Sequence, residues 1–315
     1  MATHNDENPR EELFTKMLAT ARDGDLTELQ NQLRTWDTEL TADGASATSR
    51  DHLWFKPLMS EQLEIFNELN RPPENTKKVR TDWYIRNRIL VAASHKNKVN
   101  VVEYLLEHRE CPITSHAVQR AMLGNSFDVL EVFLSHGWDI NRPIQNNICT
   151  ILRQVVNNEH RVRWCLEHGA NPNARNKDKT KDILSHAACY GSLSTLRLLD
   201  DHGADFARSN ALHGAVKGSS EERMEIMRWL LDEKAFPINQ REFEYDIEMF
   251  ADRQSNSLAT ALHVAAETNS VDCLRFLLER GADPNLPDTL GHTAKDRGRK
   301  RKHQEVVSIL EFWEA

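Results

Sequence analysis

Histidine and cysteine come first, because their chemistry is the most versatile in the chain. The sequence holds 14 histidines and 5 cysteines in 315 residues. His186 and Cys189 form a His-x-x-Cys pair. Side chains three apart on a helix share a face, so this thiol and imidazole suit a nucleophile with its base, or two ligands of a metal. Nothing else in the sequence completes such a site. It has no Gly-rich phosphate loop, Gly-x-Ser-x-Gly, His-Glu-x-x-His or zinc-ligand spacing. The cysteines Cys111, Cys149, Cys165, Cys189 and Cys273 are odd in number, far apart and without a Cys-x-x-Cys pair. They read as reduced thiols of an intracellular protein, and no metal or cofactor is expected.

A second cluster is cationic. Lys295, Arg297, Arg299, Lys300, Arg301 and Lys302 lie within "KDRGRKRKHQE". Such a run suits a nuclear address or a nucleic-acid patch, and equally the solvated face of a terminal helix. The net charge of −8 opposes a mainly electrostatic nucleic-acid role. The N-terminal "MATHNDENPREEL" is polar, without the apolar stretch of a signal peptide. No apolar run approaches the ~18 residues of a membrane span.

The elements that position these residues recur. "ETNSVDCLRFLLERGADP" (267–284) lines up with "CYGSLSTLRLLDDHGADF" (189–206), "HKNKVNVVEYLLEHRECP" (95–112) and "LGNSFDVLEVFLSHGWDI" (123–140). The position of Gly281 is held earlier by Arg109, Gly137, Gly169, Gly203 and Lys234. Most intervals are close to one period of about 33 residues, and the last is longer. In each copy a second helix carries one apolar face, as at Val271, Leu274, Leu277 and Leu278. Gly137, Gly169, Gly203 and Gly281 follow that face where a left-handed residue ends a helix. The inter-helix turns hold Gly191, Gly218, Asn125 or Asn269, residues that tolerate positive φ. Trp164 and Trp229 take the place of Phe276, and Trp138 and Trp313 also lie near second helices; these indoles read as packing between units.

"TALHVAA" (260–266) resembles the Thr-Pro-Leu-His-x-Ala signature of ankyrin repeats, with Ala261 in place of proline. "ALHGAV" (211–216) is a weaker copy, and "GHTAKDRGRKRKHQEVVSIL" (291–310) is similar to a last, polar repeat. The resemblance implies an all-α solenoid of about seven to eight helix-turn-helix units with short β-turn fingers. It implies that His213 and His263 hydrogen-bond backbone between units, and that the usual activity is binding other proteins. His186 aligns with Val264 rather than with the signature histidine. His136, His168 and His202 precede the glycines, where a cation suits the helix dipole.

The expected organisation is a disordered N-terminus (1–10), a degenerate first repeat (11–40), an insertion of loop plus short helix (41–80), an array (81–288) and a capping repeat (289–315). An enlarged finger (236–257) interrupts the array. There Phe243, Tyr245 and Ile247 alternate with acids, a strand-like pattern. The basic finger "ARNKDKTKDIL" (174–184) holds Arg175, Lys177, Lys179 and Lys181.

The function expected is therefore non-catalytic protein recognition, as adaptor, scaffold or inhibitor, through the concave groove and finger tips. Phe243, Tyr245, Asp246 and Phe250, with Arg175, Lys177 and Lys179, are the candidate contacts. The expected protein is a cytoplasmic monomer that binds a partner protein and neither nucleic acid nor membrane, with the nucleus as the alternative compartment. Two other readings remain: an enzyme or small-molecule binder around His186, Cys189 and His213, and a nuclear regulator addressed by residues 295–302.

Overall fold

The structure, a computed structural model of the chain, describes residues 9–42, 77–109, 111–144, 149–176, 180, 182–218 and 222–314. The chain divides into two compact units, Met1–Asn146 and Asn147–Ala315. Both are built from paired antiparallel helices, so the fold is all-α as expected. Among the described residues, β structure is confined to isolated bridges such as Arg175↔Asp182 and Arg241↔Thr260.

The first unit holds α1 (Pro9–Asp23), α2 (Leu26–Ala42), α3 (Lys77–His95), α4 (Val99–His108), α5 (Ser115–Leu123) and α6 (Phe127–Ser135). Helix α1 packs on both α2 and α3, so the degenerate first repeat stacks directly on the next. Most of the expected insertion, including its short helix at 60–69, lies outside the described residues; its two ends belong to α2 and α3. Asn97 takes the left-handed turn with φ 55°. Its side chain reaches the following repeat, donating to Asp128 at 2.7 Å and accepting from the Val129 N–H at 3.2 Å.

The second unit holds α7 (Ile151–Gln154), α8 (Glu159–Glu167), α9 (Ile183–Tyr190), α10 (Leu193–Asp201), α11 (Ala211–Lys217), α12 (Arg223–Asp232), α13 (Ile247–Arg253), α14 (Ala261–Glu267), α15 (Val271–Glu279), α16 (Ala294–Arg301) and α17 (Gln304–Glu314). The first helices α7, α9, α11, α14 and α16 stack in sequence. The apolar face read from sequence is the buried one: Leu274 and Leu277 are fully enclosed, and Leu278 nearly so. Each such side chain contributes about 1.5–3 kcal/mol relative to exposure.

The turn that closes each repeat follows from "GADPN". Gly137, Gly169, Gly203 and Gly281 have φ of +84° to +88°, with open space where a Cβ would sit. Asp139, Asn171 and Asp283 then each accept the N–H two residues on, at 2.9 Å. This is an Asx turn that redirects the chain into the finger. His136, His168 and His202 donate Nδ1–H to the carbonyl four residues back, at 2.8, 2.7 and 2.9 Å, and so satisfy carbonyls left open at the helix end.

Two repeats lack that glycine, and the substituted residue does another task. Arg109 pairs with Asp37 at 2.7 Å and Lys234 with Asp200 at 2.6 Å, each joining the ends of successive second helices. Arg280, one residue before Gly281, likewise reaches Asp232. The aromatic position shared by Trp164, Trp229 and Phe276 is buried and stacks beside the same helix ends. His168 lies 4.1 Å, Lys234 5.6 Å and Arg280 4.3 Å from the respective rings.

One expectation about glycine is corrected. Asn125 and Asn269 do have positive φ, at 55° and 56°. Gly191 and Gly218 do not: their φ values are −89° and −68°. Close backbone approach requires them instead. A Cβ at Gly191 would lie 2.7 Å from the Ala187 carbonyl oxygen, and one at Gly218 would lie 2.6 Å from that of Cys189.

Candidate protein-binding site

The signature histidines tie repeat to repeat. His263 donates Nε2–H to the His292 carbonyl at 3.0 Å, and its Nδ1 accepts from the Thr260 N–H at 3.3 Å and hydroxyl at 2.8 Å. Both ring nitrogens are thereby assigned, and the ring is neutral. Burial pushes its pKa down to about 4. His213 donates to the Ala259 carbonyl at 2.8 Å, and burial lowers its pKa as well. Its Nδ1 has no partner. The reason is a departure from the signature: Asn210 stands where Thr260 stands in the later repeat. The Asn210 side chain does not cap its helix; its Oδ1 accepts the Phe243 N–H at 3.0 Å and holds the long finger.

The long finger is not a strand, which corrects the reading of its alternation. Residues 242–245 form consecutive turns, and α13 follows after Asp246. Phe243 has φ 63°, which breaks any extended run. Asp246 accepts the Met249 N–H at 3.2 Å and caps the helix, so the acid that alternated on paper nucleates helix instead. Only the base of the finger pairs: Glu242 N–H donates to the Ala259 carbonyl at 2.9 Å.

One face of this finger is anchored. Met249 is buried, while Phe243, Tyr245 and Phe250 are half-buried. Arg253 lies 5.9 Å from the Phe243 ring centroid. Arg175, from the basic finger, lies 4.8 Å from the Tyr245 ring and donates to the Arg208 carbonyl. Two candidate residues read from separate fingers, Arg175 and Tyr245, therefore stack on one another. Burial, with Asp182 nearby, raises the Tyr245 phenol above its ordinary pKa. Asp182 is itself buried, which raises its pKa, and it caps α9. Lys177, Lys179 and Lys181 lie outside the described residues.

The opposite face is free. Ile247 is 85% exposed, and Glu244, Glu248, Ala251 and Asp252 are exposed around it. Ile247 is not among the candidate contacts; a strand would set it on one face with Phe243 and Tyr245, whereas the helix turns it outward. Helical spacing from the Asp246 cap was the signal available.

A cleft of about 780 Å³ lies between this finger and the first helices of the last repeats. Lys217, Val264, Glu267, Leu290, Arg297 and Lys300 are among its walls. Most of its charges are already paired. Arg297 donates to Asp288 at 2.8 Å and Glu267 at 3.1 Å, and also to Ser257. Arg301 pairs with Glu267, and Lys217 with Glu242 at 3.0 Å. Burial works against the charged form of Asp288, but hydrogen bonds from Ser257, His292, Arg297 and Leu290 outweigh it and hold the carboxyl far below the ordinary range. The basic run of α16 is thus partly structural: Arg297 and Arg301 brace the cleft, and Arg299 pairs with Glu311 at 2.6 Å.

His186, Cys189 and His213 each have their own surroundings. The Nδ1 of His186 accepts from Arg153 at 3.1 Å, and His213 is enclosed at the repeat interface. Burial raises the Cys189 thiol above its ordinary pKa, opposite to the shift that activates a nucleophile.

Repeated helix pairs, Asx-turn fingers and bridging histidines define a class, and sequence comparison agrees with it. Residues 207–288 match the family model described as ankyrin repeats (3 copies). The chain is an ankyrin repeat-containing protein. It is 24% identical over 260 residues to the putative ankyrin repeat protein FPV232 of Fowlpox virus (strain NVSL), covering 72% of this chain and 52% of that protein. It is 26% identical over 130 residues to alpha-latrotoxin-Lg1a of Latrodectus geometricus, covering 41% of this chain and 9% of the toxin. Over 200 residues it is 26% identical to the mitochondrial disaggregase of Homo sapiens, covering 63% of this chain and 26% of that protein. The chain thus spans about half the length of the viral relative and less of the other two. No helix among the described residues is long and apolar enough to cross a membrane.

Proposed function

We propose that the chain is a non-catalytic protein-recognition module, acting as adaptor, scaffold or inhibitor, and that its second unit carries the recognition surface. The cleft carries this reading. Its walls come from three first helices and two fingers, so its shape is set by the stacked array rather than by one mobile loop. A surface already rigid before contact loses little entropy on binding. Lys300 has no ion-pair partner among the described residues, and Leu290 is 52% exposed; both remain available to a ligand. Ankyrin repeats are in general protein-interaction modules, and the viral relative shares the repeat over most of this chain.

The test is affinity capture with the full chain, comparing wild type with Leu290→Arg/Lys300→Glu after circular dichroism shows equal helicity. A protein retained by wild type and lost by the variant supports the cleft. Equal retention moves the surface elsewhere on the array. Capture of no protein by either counts against the reading itself.

A further inference from the structure

We propose that the outward face of α13 docks a basic segment of a partner protein, with one apolar side chain of that segment seated on Ile247 and Ala251. This inference rests on the protein-recognition reading and names the partner's chemistry at one surface.

The finger presents this face as a fixed object. Its inward side is held by the Asn210 bond to the Phe243 N–H at 3.0 Å, the Arg175 stack on Tyr245 at 4.8 Å and the burial of Met249. The outward side carries Ile247, 85% exposed. Ile247 and Ala251 are four apart, so they lie on one side of the helix.

The charge around that apolar spot has one sign. Between residues 241 and 253 there are five acids and two arginines. Both arginines are engaged, Arg241 with Glu244 and with the Pro287 carbonyl, Arg253 over Phe243. Glu242 is matched by Lys217, and Asp246 is used as the helix cap. Glu248 and Asp252 have no ion-pair partner among the described residues.

These two carboxylates do not help the fold. They are four apart on one helix, where like charges repel. Asp252 also lies in the last turn, where the helix dipole disfavours an acid. An exposed apolar stripe with a row of two unneutralised carboxylates along one flank is complementary to a segment that sets Lys or Arg beside a Leu, Ile or Phe. Such a field also raises the association rate of a basic partner, an effect that salt removes.

The experiment is selection of a phage-displayed random-peptide library on the full chain. The most enriched sequence is then synthesised, and its affinity is measured by fluorescence anisotropy. Enrichment of Lys/Arg-flanked apolar peptides is expected. Affinity should fall at least about tenfold with Ile247→Asp, as burial of one large aliphatic side chain implies. It should fall about three- to tenfold with Glu248→Lys/Asp252→Lys and be regained when the peptide's lysines become glutamates. It should be unchanged in Glu279→Lys, an exposed acid on the second helix α15. Enriched peptides indifferent to Ile247→Asp overturn the inference while leaving protein recognition intact. Acid-rich peptides lost only with Lys300→Glu overturn it in favour of the cleft. Absence of any enriched basic peptide also overturns it.

Discussion

Replacing His263 with glutamine gives a stability difference that depends on pH with a definite sign. In the fold, His263 is neutral, with Nε2–H donated to His292 and Nδ1 accepting from Thr260. Its folded pKa is about 4, below the ordinary histidine value of about 6.5. The unfolded chain therefore binds a proton on this ring in a pH window where the folded chain does not. Stability rises with pH across that window and is lost on acidification, down to about pH 4, below which both states are protonated. From about pH 7 to about pH 4.5 the loss is roughly 2 kcal/mol from this ring alone. Glutamine cannot take up the proton. At neutral pH the variant forfeits the inter-repeat bonds, at about 2 kcal/mol. On acidification that deficit should shrink towards zero, because only the wild type is being destabilised by the ring. His213 is present in both chains and cancels. Equilibrium urea unfolding, followed by far-UV circular dichroism at several pH values, reads the difference directly. A deficit that stayed constant from neutral to acid pH would refute the neutral, buried ring.

Other consequences follow from single contacts. Arg297→Met strips the cation from Asp288, whose side chain is fully enclosed, and should cost about 3 kcal/mol, seen as a lower melting temperature. Gly281→Ala meets only the strain of φ +88° in open space and should cost about 1 kcal/mol. Gly214→Ala should cost more, because its Cβ would lie 2.2 Å from the Ser185 carbonyl oxygen; denaturation midpoints of the two variants compare them. In a native-state thiol assay, Cys189 should react, slowly, because it is half-exposed with a raised pKa. Cys165, buried and pushed up to about 12, should stay unlabelled until the chain unfolds.

Much of the architecture was legible because it is periodic. One apolar helical face, a glycine after it and a histidine in "TALHVAA" each reflect a local requirement that every copy must meet, so they recur at fixed spacing. Gly191 and Gly218 show the limit of local reading. Their turns invite positive φ, yet each also lies against a carbonyl of the preceding repeat, Val156 for Gly191 and Cys189 for Gly218, which no local pattern displays. The long finger shows the same limit. Alternation over a few residues fits a strand or a capped helix equally, and the choice was made by Asp246 and by the lack of a partner strand. The stack of Arg175 on Tyr245 joins residues 70 positions apart, a contact created only by stacking the repeats. Asn210 is the most instructive case. It reads as a weakened signature residue, but its side chain has left the helix cap to hold the finger that carries Ile247.

The most direct measurement is hydrogen–deuterium exchange of the full chain, alone and with a protein captured through it. Protection should appear on the first helices α11, α14 and α16 and on the finger at 236–257, the surfaces that line the cleft and its rim. Protection confined to the second helices α10, α12 and α15 would contradict the account and place recognition on the opposite side of the repeats.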